Sequence, residues 1–416
     1  MRLSRFCVLA AFLAPTALSA ADAFGLHDGD RVVFYGDSIT DQRRYTSFVE
    51  TYVVTRFPKL DVRFFHSGWG GDRVTGGAGG PIDVRLYRDV LPYNPTVVTI
   101  MLGMNDGSYR AYDPAIFDTF ATGYKHIVEV LKRQLPNVRI TAIQPSAYDD
   151  VTHAPTFEGG YNGVLVRYGE FLSELASTQK LELANLNTPV VDALAKAKDI
   201  DATAAGRLIP DRIHPGDQVA LVMAEGLLKA WKAPAIVTEV EIDAVRRAAT
   251  VQANTHVSDV KSEKGIAWTQ MDDALPMPLN RQDPLVGLVL KSSDFVDALD
   301  REPLRVKGLS GRNYRLDIDG ESVGTFSADQ LASGINLADL PTPMARQAAA
   351  VHSLTLQHTG IHNTRWRQLQ VSMQTNETPE LLNALKSLDE LDARLVRDQR
   401  AAAQPKPHRY QLTSVE

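Results

Sequence analysis

Four short segments carry side chains that could share one reaction. In Gly36-Asp37-Ser38-Ile39-Thr40, Ser38 directly follows an apolar, β-branched and aromatic run, Arg31–Gly36. A hydroxyl at the carboxyl end of a parallel strand sits where α/β folds place their ligands, although an isolated Ser there serves equally well as a helix N-cap. In Asp211-Arg212-Ile213-His214, one loop can present both a carboxylate and an imidazole. His214 could take a proton from a Ser hydroxyl while Asp211 holds the ring in the required tautomer. Gly103-Met104-Asn105-Asp106 closes another apolar run. The Asn105 amide is a candidate donor to a developing oxyanion, or else a turn residue. In Gly68-Trp69-Gly70-Gly71-Asp72, a glycine lets an ester approach closely and leaves its backbone N–H free. A phosphate-binding loop is excluded, because no Gly-Lys-Ser/Thr follows and the G-x-G-x-x-G spacing is absent.

These segments need elements to hold them. Arg31–Gly36, residues 62–65, 96–102 (apolar throughout), 138–143 and 181–186 read as strands. Residues 45–57, 117–135, 161–176 and 218–231 show helical spacing. Alternation of strand and helix over some two hundred residues predicts a parallel sheet with helices on both faces. After Pro234 the pattern changes. Residues 267–279 and 304–326 read as strands, with Asp319-Gly320 as a hairpin turn, so 235–335 is expected to be a small β-rich module. Helical patterns return over 343–403, where Leu381, Leu385, Leu388, Leu391 and Leu395 form a stripe, read as a face packed on its own chain. Residues 404–416 read as a disordered tail, and His352, His358 and His362 as solvated helix residues rather than metal ligands.

The order Ser, Gly, Asn, Asp/His and the wording of the four blocks resemble the SGNH hydrolases, also called the GDSL esterase/lipase family, over roughly residues 29–233. The resemblance implies an α/β, flavodoxin-like three-layer sandwich with a mostly parallel sheet. It implies Ser38 as nucleophile, His214 as general base and Asp211 as its orienting partner. The oxyanion would be held by the Ser38 and Gly71 backbone N–H groups and the Asn105 amide, with no metal or organic cofactor. The family often carries Asn shortly before the second-block Gly. Here His66 stands near that place, which leaves the local hydrogen bonding open. Trp69, Tyr109 and Tyr148 are candidates for a sugar-stacking surface or for plain packing. Arg73 could contact substrate oxygens or pair with a carboxylate.

Composition narrows the function further. The 416 residues are 44% hydrophobic and 23% charged, ordinary globular values, and their number suggests one large domain plus an addition. The net charge of −6 argues against a nucleic-acid partner. Arg2 and Arg5, then an apolar stretch and small residues near Ala21, read as a signal peptide over 1–21, too short to span a bilayer. Its removal would take two positive charges, shift −6 to −8, and discard Cys7, the sole cysteine. A secreted or periplasmic ester hydrolase acting on O-acetylated carbohydrate is the leading expectation. A lipase or arylesterase, an acetyltransferase to a sugar hydroxyl, and a non-catalytic glycan-binding protein are the alternatives. The oligomeric state is left open by the sequence.

Overall fold

The apolar runs pair side by side into one sheet. The computed structural model describes residues 24–262 and 265–415; the expected signal peptide lies outside them. Strands β1 (Arg31–Gly36), β2 (Arg63–Gly68), β3 (Val97–Met101), β4 (Arg139–Ile143) and β5 (Glu182–Ala184) lie in the order β2-β1-β3-β4-β5. Every neighbouring pair is parallel. All five residues of β3 are buried, as a strand covered on both faces requires. The sheet is threaded with helices α1 (Ser38–Asp41), α2 (Arg44–Arg56), α3 (Ile82–Asp89), α4 (Pro114–Gln134), α5 (Gly160–Gln179), α6 (Thr188–Ile200) and α7 (Asp217–Ala230). The longest of these shows why they form. Asp113 caps α4 by accepting from the Ala115 N–H at 2.9 Å, Pro114 opens it, and Phe120, Tyr124, Ile127 and Leu131 bury one face. The result is the flavodoxin-like α/β sandwich.

Two further sheets follow. Strands β6 (Glu239–Asp243), β7 (Ala248–Ala253), β8 (Thr255–Lys261) and β9 (Gly265–Asp272) precede helices α8 (Pro284–Ser292) and α9 (Phe295–Leu299). Then come β10 (Pro303–Lys307), β11 (Asn313–Ile318), β12 (Glu321–Ser327) and β13 (Ile335–Asn336). The β11–β12 hairpin turns at Asp319-Gly320, whose φ values of 53° and 83° are those a two-residue turn demands. Helices α10 (Pro343–Asn363) and α11 (Pro379–Ala403) lead to a last strand, β14 (Pro407–Val415). One sheet has the order β8-β9-β14-β11-β12 and the other β13-β10-β6-β7.

Two expectations need correction. The tail is not disordered: β14 is the middle strand of its sheet, antiparallel to both β9 and β11. It buries His408, Tyr410 and Leu412 in alternation, with Tyr410 stacked on Trp268 at 5.1 Å. Its partner strands are distant in sequence, so only folding shows that this short, polar-flanked run has a place. The β-rich segment is as expected, and it also carries two helices. Val286, Leu288, Val289, Phe295 and Leu299 of α8 and α9 join the core of the α/β domain. Nor are the α10 histidines solvated. His352 stacks on Phe48 at 4.7 Å, His358 binds Glu50 at 2.5 Å, and His362 is buried. His352 and His358 meet α2, while His362 meets Phe65 on β2 and Tyr93, and because this side of α10 is polar it reads as a solvent face in sequence. Burial pushes His352 down to about 4 and His362 to about 3. Burial also opposes the charged form of His358, but Glu50 and Asp392 outweigh it and lift the ring to about 10.

Removing residues 404–416 is expected to unpair β9 and β11 together. Soluble yield and melting temperature should both fall, and a truncated protein that melts like the full chain would contradict the central placement of β14. Asp300 supplies a pH test. Burial raises its carboxyl to about 7, while its Oδ1 accepts from the Met277 N–H at 2.8 Å. A raised carboxyl stabilises fully below its unfolded value near 4, and that contribution is lost as pH rises through about 7. Asp300→Asn should therefore melt roughly 2–4 °C above the wild type at pH 8 and no higher than it at pH 5.

Candidate active site

Ser38 is the first residue of α1, directly beyond the end of β1, and α1 is capped by Asp37 accepting from the Ile39 N–H at 3.0 Å. Gly36 is obligatory before it, because a Cβ there would lie 2.3 Å from Thr40 Oγ1 and 2.7 Å from the Met101 carbonyl. From the other end of the domain, the loop before α7 brings up His214. Its Nε2 lies 2.8 Å from Ser38 Oγ, and its Nδ1 lies 2.6 Å from Asp211 Oδ2. Asp211 Oδ1 accepts from the backbone N–H groups of Ile213 (3.0 Å) and His214 (2.8 Å), closing the loop on itself. Arg212 makes this possible by adopting φ 68°. Partial burial opposes ionisation of Asp211, but hydrogen bonds from the His214 backbone and ring and from Ile213 outweigh it and keep the carboxyl below its ordinary value.

The third side of the site comes from the strands flanking β1. Gly36 pairs with Gly68 on β2 and with Met101 on β3, so the segments holding Ser38, Gly71 and Asn105 leave one edge of the sheet side by side. Gly71 has φ 77° with open space where a Cβ would stand. Among the described residues, no protein acceptor takes the Ser38 or Gly71 backbone N–H. Asn105 is 9% exposed; its Nδ2 donates to the Asp72 carbonyl at 3.0 Å, and its Oδ1 accepts from Tyr109 Oη at 2.9 Å. One Nδ2 hydrogen is left over. The arrangement can attack an ester carbonyl, relay the proton, and surround the resulting oxyanion with three donors.

Residues 34–220 match the GDSL-like Lipase/Acylhydrolase family. This α/β domain belongs to that family, the SGNH hydrolases. The chain is accordingly a serine ester hydrolase. An acetylxylan esterase of Geobacillus stearothermophilus is 24% identical over 226 residues, covering 48% of this chain and 93% of that one. The solved structure of a gut microbial diltiazem-metabolizing enzyme is 26% identical, with a TM-score of 0.81. It covers 94% of this SGNH hydrolase and 100% of its own chain, so the α/β domain, the extra sheets and the C-terminal helices recur there together.

Of the other candidate residues, Trp69 is not a free stacking surface. The Arg367 guanidinium lies 3.6 Å from its ring centroid, with Arg85 at 5.1 Å and Arg88 at 5.4 Å. Tyr109 holds Asn105 and stands 6.2 Å from the Tyr148 ring. Arg73 is exposed, and its charge acts on Asp106 and Tyr109. His66 is buried against Thr46 (2.9 Å) and Glu50 (3.4 Å), away from the triad's hydrogen bonds. Among the described residues, no group of three or more His, Cys, Asp or Glu side chains is set to hold a metal ion.

Sequence reasoning missed the support of the Gly71 loop. Arg85 is fully buried and donates from Nε to Asp72 Oδ2 (2.7 Å) and from Nη2 to the Ser67 carbonyl (2.8 Å), and it pairs with Asp89. Trp366 Nε1 donates to the same Asp89 at 2.7 Å. An Arg on a short polar helix and a Trp nearly three hundred residues later carry no joint signal in one sequence.

Asn105→Ala should lower kcat about 10²–10³-fold. Tyr109→Phe removes only the hydrogen bond that orients Asn105 and should cost roughly fivefold in kcat with KM little changed. A KM rise at unchanged kcat in Tyr109→Phe would instead make Tyr109 a substrate contact.

Proposed function

We propose that this enzyme removes O-acetyl groups from carbohydrate through an acyl-Ser38 intermediate. The Ser38–His214–Asp211 relay, at 2.8 and 2.6 Å, carries this reading. Ser38 Oγ bonds to the acetyl carbonyl carbon as its proton passes to His214 Nε2. The carbonyl oxygen becomes an oxyanion facing the Ser38 and Gly71 backbone N–H groups and Asn105 Nδ2. His214 then returns the proton to the sugar oxygen as that C–O bond breaks. Water, deprotonated by His214, attacks the acyl-Ser38 carbonyl, and acetate leaves with Ser38 restored. Asp211 holds the imidazole tautomer and supports the imidazolium while it exists.

The acetyl and carbohydrate parts draw support from the acetylxylan esterase relative. The full-length likeness to a diltiazem-metabolizing enzyme favours a second reading, hydrolysis of small non-sugar esters at the same site. An exported, secreted or periplasmic, location is part of the proposal and rests on the N-terminal residues alone.

Hydrolysis of nitrophenyl esters from acetyl to octanoyl should peak at acetyl, and Ser38→Ala should lose at least about 10³-fold in kcat. Acetate release from acetylated xylan or xylo-oligosaccharides would then separate the sugar reading from the small-ester one. A peak at octanoyl would overturn the acetylesterase assignment.

A further inference from the structure

The Gly71 loop is bordered by cations that the acyl-transfer mechanism does not use. Arg43 follows α1 in a left-handed conformation, φ 59°. Arg367 comes from the π-helical turn Thr364–Val371 that follows α10, far along the chain. Both guanidiniums reach one carboxylate, Asp41, on the same short helix as Ser38. Arg367 Nη1 lies 3.1 Å from Asp41 Oδ1 and Arg43 Nη1 lies 3.8 Å from it, while Arg43 also donates to the Asp41 carbonyl at 2.7 Å. Asp41 Oδ2 stands 3.8 Å from where a Gly70 Cβ would be, so the cluster lies against the loop that presents Gly71.

Charge does not balance here. Two guanidiniums face one carboxylate, and each of the three side chains is only 25–26% exposed. Burial lowers the Arg43 guanidinium; Asp41 opposes this and outweighs the smaller repulsion from Arg367, but burial prevails. Other pairs nearby are matched: Arg85 and Arg88 by Asp72 and Asp89, and Arg44 by Asp217. Beyond Gly71 stands Arg73, whose side chain makes no hydrogen bond or ion pair among the described residues. A local positive excess in a chain of net charge −6 runs against the global field. Holding two half-buried guanidiniums together is costly unless a second anion completes the site. Arg is also the side chain whose planar fork matches a carboxylate.

We propose that Arg367 and Arg43 form a subsite for the carboxylate of an acylated sugar acid, with the exposed Arg73, two residues beyond Gly71, adding to the positive field. The natural substrate is then an O-acetylated uronic acid or a glycan that contains one. This rests on the carbohydrate reading above and names the substrate class for the same site. Arg367, by lying on Trp69, presents its guanidinium to the ligand where a bare indole would have offered a stacking face.

The test is competition against nitrophenyl acetate by a matched pair, methyl β-D-glucuronide and methyl β-D-glucoside. The glucuronide should inhibit with a constant about tenfold lower, and the ratio should shrink as salt is raised. Arg367→Gln should bring the ratio towards one, and Arg367→Lys should keep part of it. Arg43→Gln serves the same purpose if Arg367→Gln folds poorly. Arg247→Gln, in the turn between β6 and β7, removes an equal charge outside the site and should leave the ratio unchanged. Equal inhibition constants, no inhibition by the glucuronide, or a ratio that neither Arg367→Gln nor Arg43→Gln moves would overturn the subsite. Failure of the carbohydrate reading would look different: nitrophenyl acetate cleaved, with no acetate released from any acetylated sugar.

Discussion

The buried guanidinium of Arg85 ties together parts of the chain that otherwise have no reason to meet. It binds Asp72, next to Gly71, and Asp89 at the far end of its own helix. It also faces the rings of Tyr35 on β1, Trp69 on the loop and Trp366 from the C-terminal segment. A fully buried charge survives only if its donors are met, and removing one partner of such a network costs several kcal/mol. Asp72, Asp89 and the Ser67 carbonyl meet those donors. The Gly71 loop is thus fixed from beneath by α3 while its own residues keep backbone N–H groups free for a ligand. An oxyanion site works by being organised before the reaction begins, and the proposed one would trace that organisation to Arg85.

The C-terminal helices are part of that arrangement. Trp366 reaches Asp89, Arg367 covers Trp69, and His358 and Gln399 both meet Glu50 on α2 at 2.5 and 2.9 Å. Burial disfavours the Glu50 carboxylate, but His358 and His66 hold it ionised. The chain then returns through β14 to complete the sheet it left at β12. Because β14 fills the middle of that sheet, the helices cannot detach without opening the accessory core. The hydrolase, the β-rich part and the helices therefore stabilise one another. The recurrence of all three over the full length of a solved relative agrees with this.

The site itself was legible to an unusual degree because its chemistry is local. Asp211 and His214 share one loop, Ser38 and Gly36 share one turn, and the glycine and Asn105 segments each close an apolar run. Short-range spacing and hydrophobic period record such facts directly. In sequence Tyr109 reads as a stacking ring, while in the fold its hydroxyl holds Asn105. Trp69 reads as a stacking platform, and in the fold the Arg367 guanidinium covers it.

By itself, the sequence determined the parallel α/β sheet, the candidate residues Ser38, Gly71, Asn105, Asp211 and His214 at the ends of its strands and loops, and the hairpin at Asp319-Gly320. Each depends on residues close in the chain or on a pattern of period two or 3.6. Only the tertiary structure decided that the last strand is central, that His358 and His362 of α10 are buried, and that Arg85, Trp366 and Arg367 gather at the Gly71 loop. Those outcomes hang on pairings across long sequence separations. A polar side chain there reads as solvated until its partner, with the opposite charge or the missing hydrogen-bonding group, is brought against it by the fold.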